Sequence, residues 1–305
     1  MQKLALDEEI LMQVEQPARY IGGEINSVKK DPDQVKIRFA MCFPDVYEIG
    51  MSHLGIQILY SMFNRREDVY CERVFSPWTD LDRILREKKI PLFTLESQRP
   101  VKECDFLGIT LQYEMCYTNI LQVLELSQIP LRAADRRDGD PIVIGGGPCT
   151  YNPEPIAPFF DLFYMGEGEV VYDELLDLYR EHKEAGGDRA SFLKKVASLP
   201  GIYVPAFYEP EYNEDGTLAA FKPLCPEAPA KVRRLVMSVL DRADFIDNPL
   251  VPFIRVTQDR SVLELMRGCI RGCRFCQAGK SPRFLPRLTR KLKTSPPIAA
   301  RSAAA

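Results

Sequence analysis

The sequence predicts an α/β protein built on a doubly wound parallel sheet. Short β-rich runs alternate with helical stretches from about residue 35, the pattern that βαβ units produce. Several strand-like runs also end directly in glycine-rich segments, where a ligand edge belongs in such a sheet.

Taken in order, 35–42 reads as a strand, and 52–66 as a helix with Leu54, Ile58, Leu59 and Met62 at helical spacing. Residues 69–75 form a second strand and 80–88 a second helix. The near-continuous apolar run 104–111 is a third strand, followed by a helix over 118–127. The strand 141–144 enters Gly145-Gly146-Gly147-Pro148. The strand 161–165 enters Gly166-Glu167-Gly168-Glu169 and then an amphipathic helix over 171–183. After a polar break at 184–189 come a short helix (191–198), a strand-like run (201–204), a turn at Asn213-Glu214-Asp215-Gly216 and a proline-rich connector at 223–229. A final strand over 261–266 leads into a cysteine-rich loop. The expected divisions are an N-terminal extension (1–34), an α/β domain (35–185), a connector (186–258) and the start of a further domain (259–305).

Composition narrows the class. The 305 residues are 46% apolar, enough for a packed core and two domains. Forty basic residues against 43 acidic ones leave a net charge of −3, so no charge bias points to nucleic acid. No apolar run approaches the roughly 18 residues of a membrane helix. The acidic N-terminus lacks a hydrophobic signal core, and the nine cysteines are therefore expected as reduced thiols in the cytoplasm.

Four segments are expected to converge on the carboxyl edge of the sheet: 43–55, including Ser52 and His53; 112–119; Gly145-Gly146-Gly147-Pro148; and Gly166-Glu167-Gly168-Glu169. Glycine there lets backbone approach a ligand closely. Ser52, His53, Gly145, Gly146, Gly147, Gly166, Glu167 and Gly168 are accordingly the candidate cofactor-binding residues. Any one of these glycines alone would be an ordinary turn residue.

The most specific signal is Cys269, Cys273 and Cys276 in the spacing C-x3-C-x2-C, with Phe275 just before the last cysteine. A closed zinc site takes four protein ligands, and an ordinary 4Fe–4S cluster takes four cysteines. Three thiolates leave one iron free for a small molecule. The chain has two histidines, His53 and His182, neither near the loop in sequence, and Cys225 is the nearest further thiol. A zinc site or inert thiols are the competing readings of the same residues.

This loop resembles the cluster loop of radical S-adenosylmethionine (SAM) enzymes. The segments ahead of it, with Arg19-Tyr20-Ile21-Gly22-Gly23-Glu24, resemble the cobalamin-binding-type domain that precedes many radical SAM barrels. The resemblance covers about residues 17–279 and points to a largely uncharacterised bacterial family. It implies that Cys269, Cys273 and Cys276 ligate a 4Fe–4S cluster shielded by Phe275. Arg267 and Arg274 would balance the cluster's charge or stand solvated. S-adenosylmethionine would occupy the open iron, and its reductive cleavage to a 5′-deoxyadenosyl radical would drive chemistry on an unknown substrate. It further implies an electron donor such as ferredoxin or flavodoxin, and makes cobalamin a candidate cofactor.

Two departures qualify the resemblance. Cobalt-ligating domains commonly carry Asp-x-His-x-x-Gly, whereas here Met51 precedes His53 and Ile56 follows it. A histidine without a carboxylate partner lacks the group that fixes its tautomer for ligation, so capping a helix is the alternative role. The second departure is length. Only 29 residues follow Cys276, with seven Lys or Arg and no acid, where a barrel needs on the order of 200. The sequence thus suggests a barrel truncated after its cluster loop, with a disordered basic tail, no catalytic residues of its own and no assured turnover. Readings from other classes are a non-catalytic corrinoid- or nucleotide-binding module and a zinc-binding interaction protein.

Overall fold

A computed structural model of the chain describes residues 4–240, 246, 248–260, 262, 264–269, 271, 273–276 and 285–286. The basic tail therefore lies outside the described residues, apart from two positions.

The chain begins with a one-turn helix, α1 (Glu8–Leu11), whose first turn is closed by Asp7: its Oδ1 accepts from the Ile10 N–H at 2.8 Å. Then follow β1 (Ile37–Phe43), α2 (Tyr47–Gly50), α3 (Leu54–Asn64), β2 (Val69–Phe75), α4 (Thr79–Lys88), β3 (Phe106–Thr110) and α5 (Tyr117–Leu126). Next come β4 (Ile142–Gly146), β5 (Leu162–Tyr164), α6 (Tyr172–Glu184), α7 (Arg189–Ala197) and β6 (Ile202–Tyr203). A hairpin, β7 (Tyr208–Tyr212) and β8 (Leu218–Pro223), and the two-residue strands β9 (Met266–Arg267) and β10 (Leu285–Pro286) complete the order.

Six strands form one sheet in the order β2-β1-β3-β4-β5-β6. The first five are parallel, and β6 closes the edge antiparallel to β5, pairing Phe163 with Tyr203. The doubly wound sheet expected from the sequence is present, with one reversed edge strand. That strand and α7 come from beyond residue 185, so the sheet draws on the stretch read as connector.

Side chains alternate across the sheet and sort the core into two layers. One layer joins Ala40, Cys42, Leu107, Ile109 and Val143 to Leu81, Ile84 and Leu85 of α4 and Ile120, Val123 and Leu124 of α5. The other joins Phe39, Met41, Phe106, Ile142 and Ile144 to Tyr60 and Phe63 of α3, Tyr172 and Leu175 of α6, and Phe192 of α7. Both faces are covered, which is why every residue of β1 and β2 is buried.

Connections from β1 run one way along the sheet and those from β3 the other. The order reverses between β1 and β3, where a doubly wound sheet opens a crevice at its carboxyl edge.

The segment Arg19–Glu24 ties the N-terminus across this frame. Arg19 pairs with Glu48 at 2.8 Å and lies over the Trp78 ring at 5.9 Å. Glu24 reaches the buried guanidinium of Arg73 at 2.6 Å, and Glu96 meets the same guanidinium at 2.6 Å. The connector also returns to the sheet: Val251 bridges to Ile25, and Leu235 bridges in parallel to Gly166. Of the final strand expected over 261–266, Met266 is in β9, while Ser261 and Leu263 lie outside the described residues.

Candidate functional site

A cavity of about 470 Å³ opens at the carboxyl edge of the sheet, beside the β1/β3 reversal. Its walls come from the ends of four parallel strands and from the turns that follow them, so the backbone topology alone brings these segments together. Met41 and the start of α3 supply one side, Gly108, Ile109 and Thr110 the floor, and Gly146, Gly147 and Pro148 the far wall. Residues 166–169 close the end nearest β5, with Tyr164 and Tyr172 stacked at 4.2 Å between ring centres behind them. A volume of this order suits a small-molecule ligand.

The expected edge residues divide once placed. Gly146, Gly147, Gly166, Glu167, Gly168 and His53 line the cavity. Gly145 does not: a Cβ there would meet the Phe163 ring at 2.6 Å, so this glycine makes room for core packing. Ser52 lies outside too. Its hydroxyl donates to the Glu48 carbonyl at 2.7 Å and accepts from the Gln258 N–H at 2.9 Å, fastening the connector to the α2–α3 turn. Gly166 has φ of +124°, and a Cβ there would lie 2.2 Å from the Leu235 carbonyl oxygen, so close approach of the connector demands glycine.

His53 is the N-cap of α3. Its Nδ1 accepts from the Ile56 N–H at 3.2 Å, which puts the ring proton on Nε2, and the Gln112 side chain lies beside the ring. Gln112 in turn donates to the Thr110 hydroxyl. Burial holds this imidazole below its ordinary value despite the Gln112 hydrogen bond. The ring thus sits neutral in the cavity wall, with Nδ1 engaged by backbone. Among the described residues no carboxylate partners it, so it lacks the group that would fix its tautomer for ligating cobalt.

The Gly166-Glu167-Gly168-Glu169 segment meets the region of the cysteine loop through one residue. The Arg267 guanidinium lies 2.5 Å from Glu169, 2.7 Å from Glu264 and 3.7 Å from Glu167. Its two terminal nitrogens donate to both oxygens of Glu169, the forked geometry in which arginine holds a carboxylate most firmly. Glu167 is held from another side, its Oε2 accepting the Met237 N–H at 2.6 Å. Burial pushes the Glu167 carboxyl up, and the Met237 N–H only partly offsets this. Arg267 was read as a counter-charge for the cluster or a solvated residue; here it faces the α/β unit. Its partner Glu169 is 98 residues away in sequence, and no local signal in the sequence links them.

The cysteines themselves lie at the surface. Cys269 and Cys273 are exposed, Cys276 is half-buried and Phe275 is 92% exposed. Cys276 N donates to the Cys273 carbonyl at 3.1 Å, making a turn, and Arg271 N lies 3.4 Å from the Cys269 sulfur. Among the described residues no three His, Cys, Asp or Glu side chains are brought together as a metal site. All nine cysteines are unpaired. The donor chemistry suits a soft iron centre, three reachable thiols with a backbone N–H near one sulfur. Their positions are those of a surface loop.

Comparison with known proteins agrees with this architecture. Residues 55–205, from α3 through β6, match the family described as "Radical SAM proteins, N-terminal". An uncharacterized protein of Methanocaldococcus jannaschii is 25% identical over 248 residues, 78% of this chain. The chain spans 40% of the length of that relative. No solved structure matches the chain. These similarities support a radical SAM-related protein.

Proposed function

We propose that this radical SAM-related chain contributes the cluster loop of a radical SAM protein, with Cys269, Cys273 and Cys276 as the protein ligands of a 4Fe–4S cluster. The observation that carries the reading is the three-thiol loop lying two residues beyond Arg267, which joins it to the α/β unit that matches the family's N-terminal region. When bound, the cluster supplies one electron for reductive cleavage of S-adenosylmethionine, which would occupy the iron that lacks a cysteine.

The chain's own residues do the positioning. Arg267 fixes the strand before the loop to Glu169 and Glu264, and Ser52 and Gly166 clip the connector that leads toward it to the sheet edge. Phe275, the most exposed aromatic beside the thiols, would cover the cluster. The domains proposed are an α/β unit over 35–185, a connector over 186–258 and the cluster-bearing start of a radical SAM domain from 259. An electron donor such as ferredoxin or flavodoxin and a cytoplasmic, reducing setting go with this chemistry, and the unpaired cysteines suit them. Among the described residues no helix is long and apolar enough to cross a membrane.

Anaerobic reconstitution with iron and sulfide tests the reading. The expected result is a thiolate-to-iron charge-transfer band that a Cys269→Ala/Cys273→Ala/Cys276→Ala variant loses. Stoichiometric zinc in the purified chain, with no such band after reconstitution, would sink it.

A further inference from the structure

The cavity at the sheet edge is walled in a way that selects against charge. Its body is apolar, formed by Met41, Ile58, Leu59, Ile109 and Ile144. Among the described residues, every carboxylate, guanidinium and imidazole in its wall is already engaged. Arg267 forks onto Glu169 and pairs with Glu264, and Glu167 accepts the Met237 N–H. Burial keeps His53 neutral, and its Nδ1 is bound to backbone. An ion entering the cavity would leave water without finding a free counter-charge, which is costly. A neutral molecule pays no such cost.

One polar group in the floor keeps a hydrogen bond to give. Thr110 ends β3 and stands in register with Gly146 of β4. Its hydroxyl accepts from the Gln112 amide, and its own proton has no acceptor among the described residues. A hydroxyl has one donor as well as its lone pairs, so an acceptor on a ligand would complete it. The neighbouring floor is bare backbone: a Cβ on Gly146 would find nothing within 4 Å, whereas one on Gly145 would meet the Phe163 ring. There is room over Gly146 for a flat group beside the Thr110 hydroxyl. A carbonyl supplies an acceptor on a flat centre and brings no charge.

We propose that this cavity binds an uncharged, largely apolar small molecule bearing a carbonyl group, with Thr110 donating to the carbonyl oxygen and the carbon body lying over Gly146 against Met41, Ile58, Leu59 and Ile144.

The test uses the intact chain and three probes of one skeleton in ligand-observed NMR titrations: 4-phenylbutan-2-one, 4-phenylbutan-2-amine and 3-phenylpropanoate. The ketone is expected to occupy one site with a dissociation constant of about 1 mM or tighter, within reach of a ligand of its size. The ammonium and the carboxylate, which put a charge where the ketone has its carbonyl, should bind at least about tenfold more weakly. Thr110→Val, close in shape but without the hydroxyl, should weaken the ketone about fivefold, and Thr110→Ser should restore it. Gly146→Leu should abolish binding with the circular dichroism spectrum unchanged. Equal affinity for either charged probe overturns the proposal. So does unchanged ketone affinity in Thr110→Val or Gly146→Leu, or no ketone binding at 10 mM, roughly ten times the expected constant. Each result is read without iron present, so it stands apart from the outcome of cluster reconstitution.

Discussion

Arg73 is fully buried, with Glu24 on one side, Glu96 on the other and the Tyr60 ring 5.5 Å from its guanidinium. Such a group earns its place only while both carboxylates stay paired. Arg73→Met should destabilise the chain by about 3–5 kcal/mol, because it takes from Glu24 and Glu96 the buried guanidinium that both carboxylates bond to. Urea denaturation measures this, and a loss below about 1 kcal/mol would contradict it. His53 gives a pH-dependent test. Its folded-state pKa is depressed by burial below the ordinary 6.5, so the unfolded chain takes up a proton first as pH falls. Stability from this group is whole above 6.5 and lost as pH drops below that value. The wild-type urea midpoint should therefore fall between about pH 7.5 and 5.5, and His53→Asn, which keeps a capping side chain, should fall less over the same range. The sequence offered two roles for this residue. Met51 in place of an acid already favoured the cap, and the Nδ1 contact to Ile56 shows the physical form it takes.

At the scale of elements, the Gly166-Glu167-Gly168-Glu169 segment does two jobs. Its first glycine admits the connector backbone at Leu235, and its last glutamate grips Arg267 just ahead of the cysteines. Arg267→Met should free the strand Met266–Arg267 while leaving the α/β unit intact. Limited proteolysis near residues 264–276 should then quicken several-fold, with the urea midpoint of the sheet core shifted little. Unchanged cleavage would show that the guanidinium holds nothing. The segment's position after a strand was legible, since an apolar run that breaks into glycine and acid marks a strand end. The identity of its partner was not, because an ion pair spanning 98 residues leaves no periodic trace. Gly145 and Gly146 make the same point at shorter range. They are adjacent and identical in sequence, yet one faces the Phe163 ring and the other open space, and strand alternation alone cannot say which is which.

For the whole molecule, strand and helix order was readable because both faces of the sheet are buried and the helices carry apolar stripes. The second strand falls at Val69–Phe75, the run read from the sequence. The antiparallel direction of Ile202–Tyr203 was not readable, since two apolar residues pair equally well either way and the chain's return across the sheet edge decides it. The fold sets the cavity at the β1/β3 reversal and places Arg267, two residues before Cys269, at that cavity's acidic end. The central claim is that three thiolates hold a four-iron cluster with one iron left open. The direct measurement is Mössbauer spectroscopy of the anaerobically reconstituted chain, with and without S-adenosylmethionine. The account predicts a 4Fe–4S signal in which one iron changes when S-adenosylmethionine is added, retained in Cys225→Ala and lost in Cys273→Ala. A spectrum with no four-iron signal, or a cluster that ignores S-adenosylmethionine and disappears in Cys225→Ala, would contradict it.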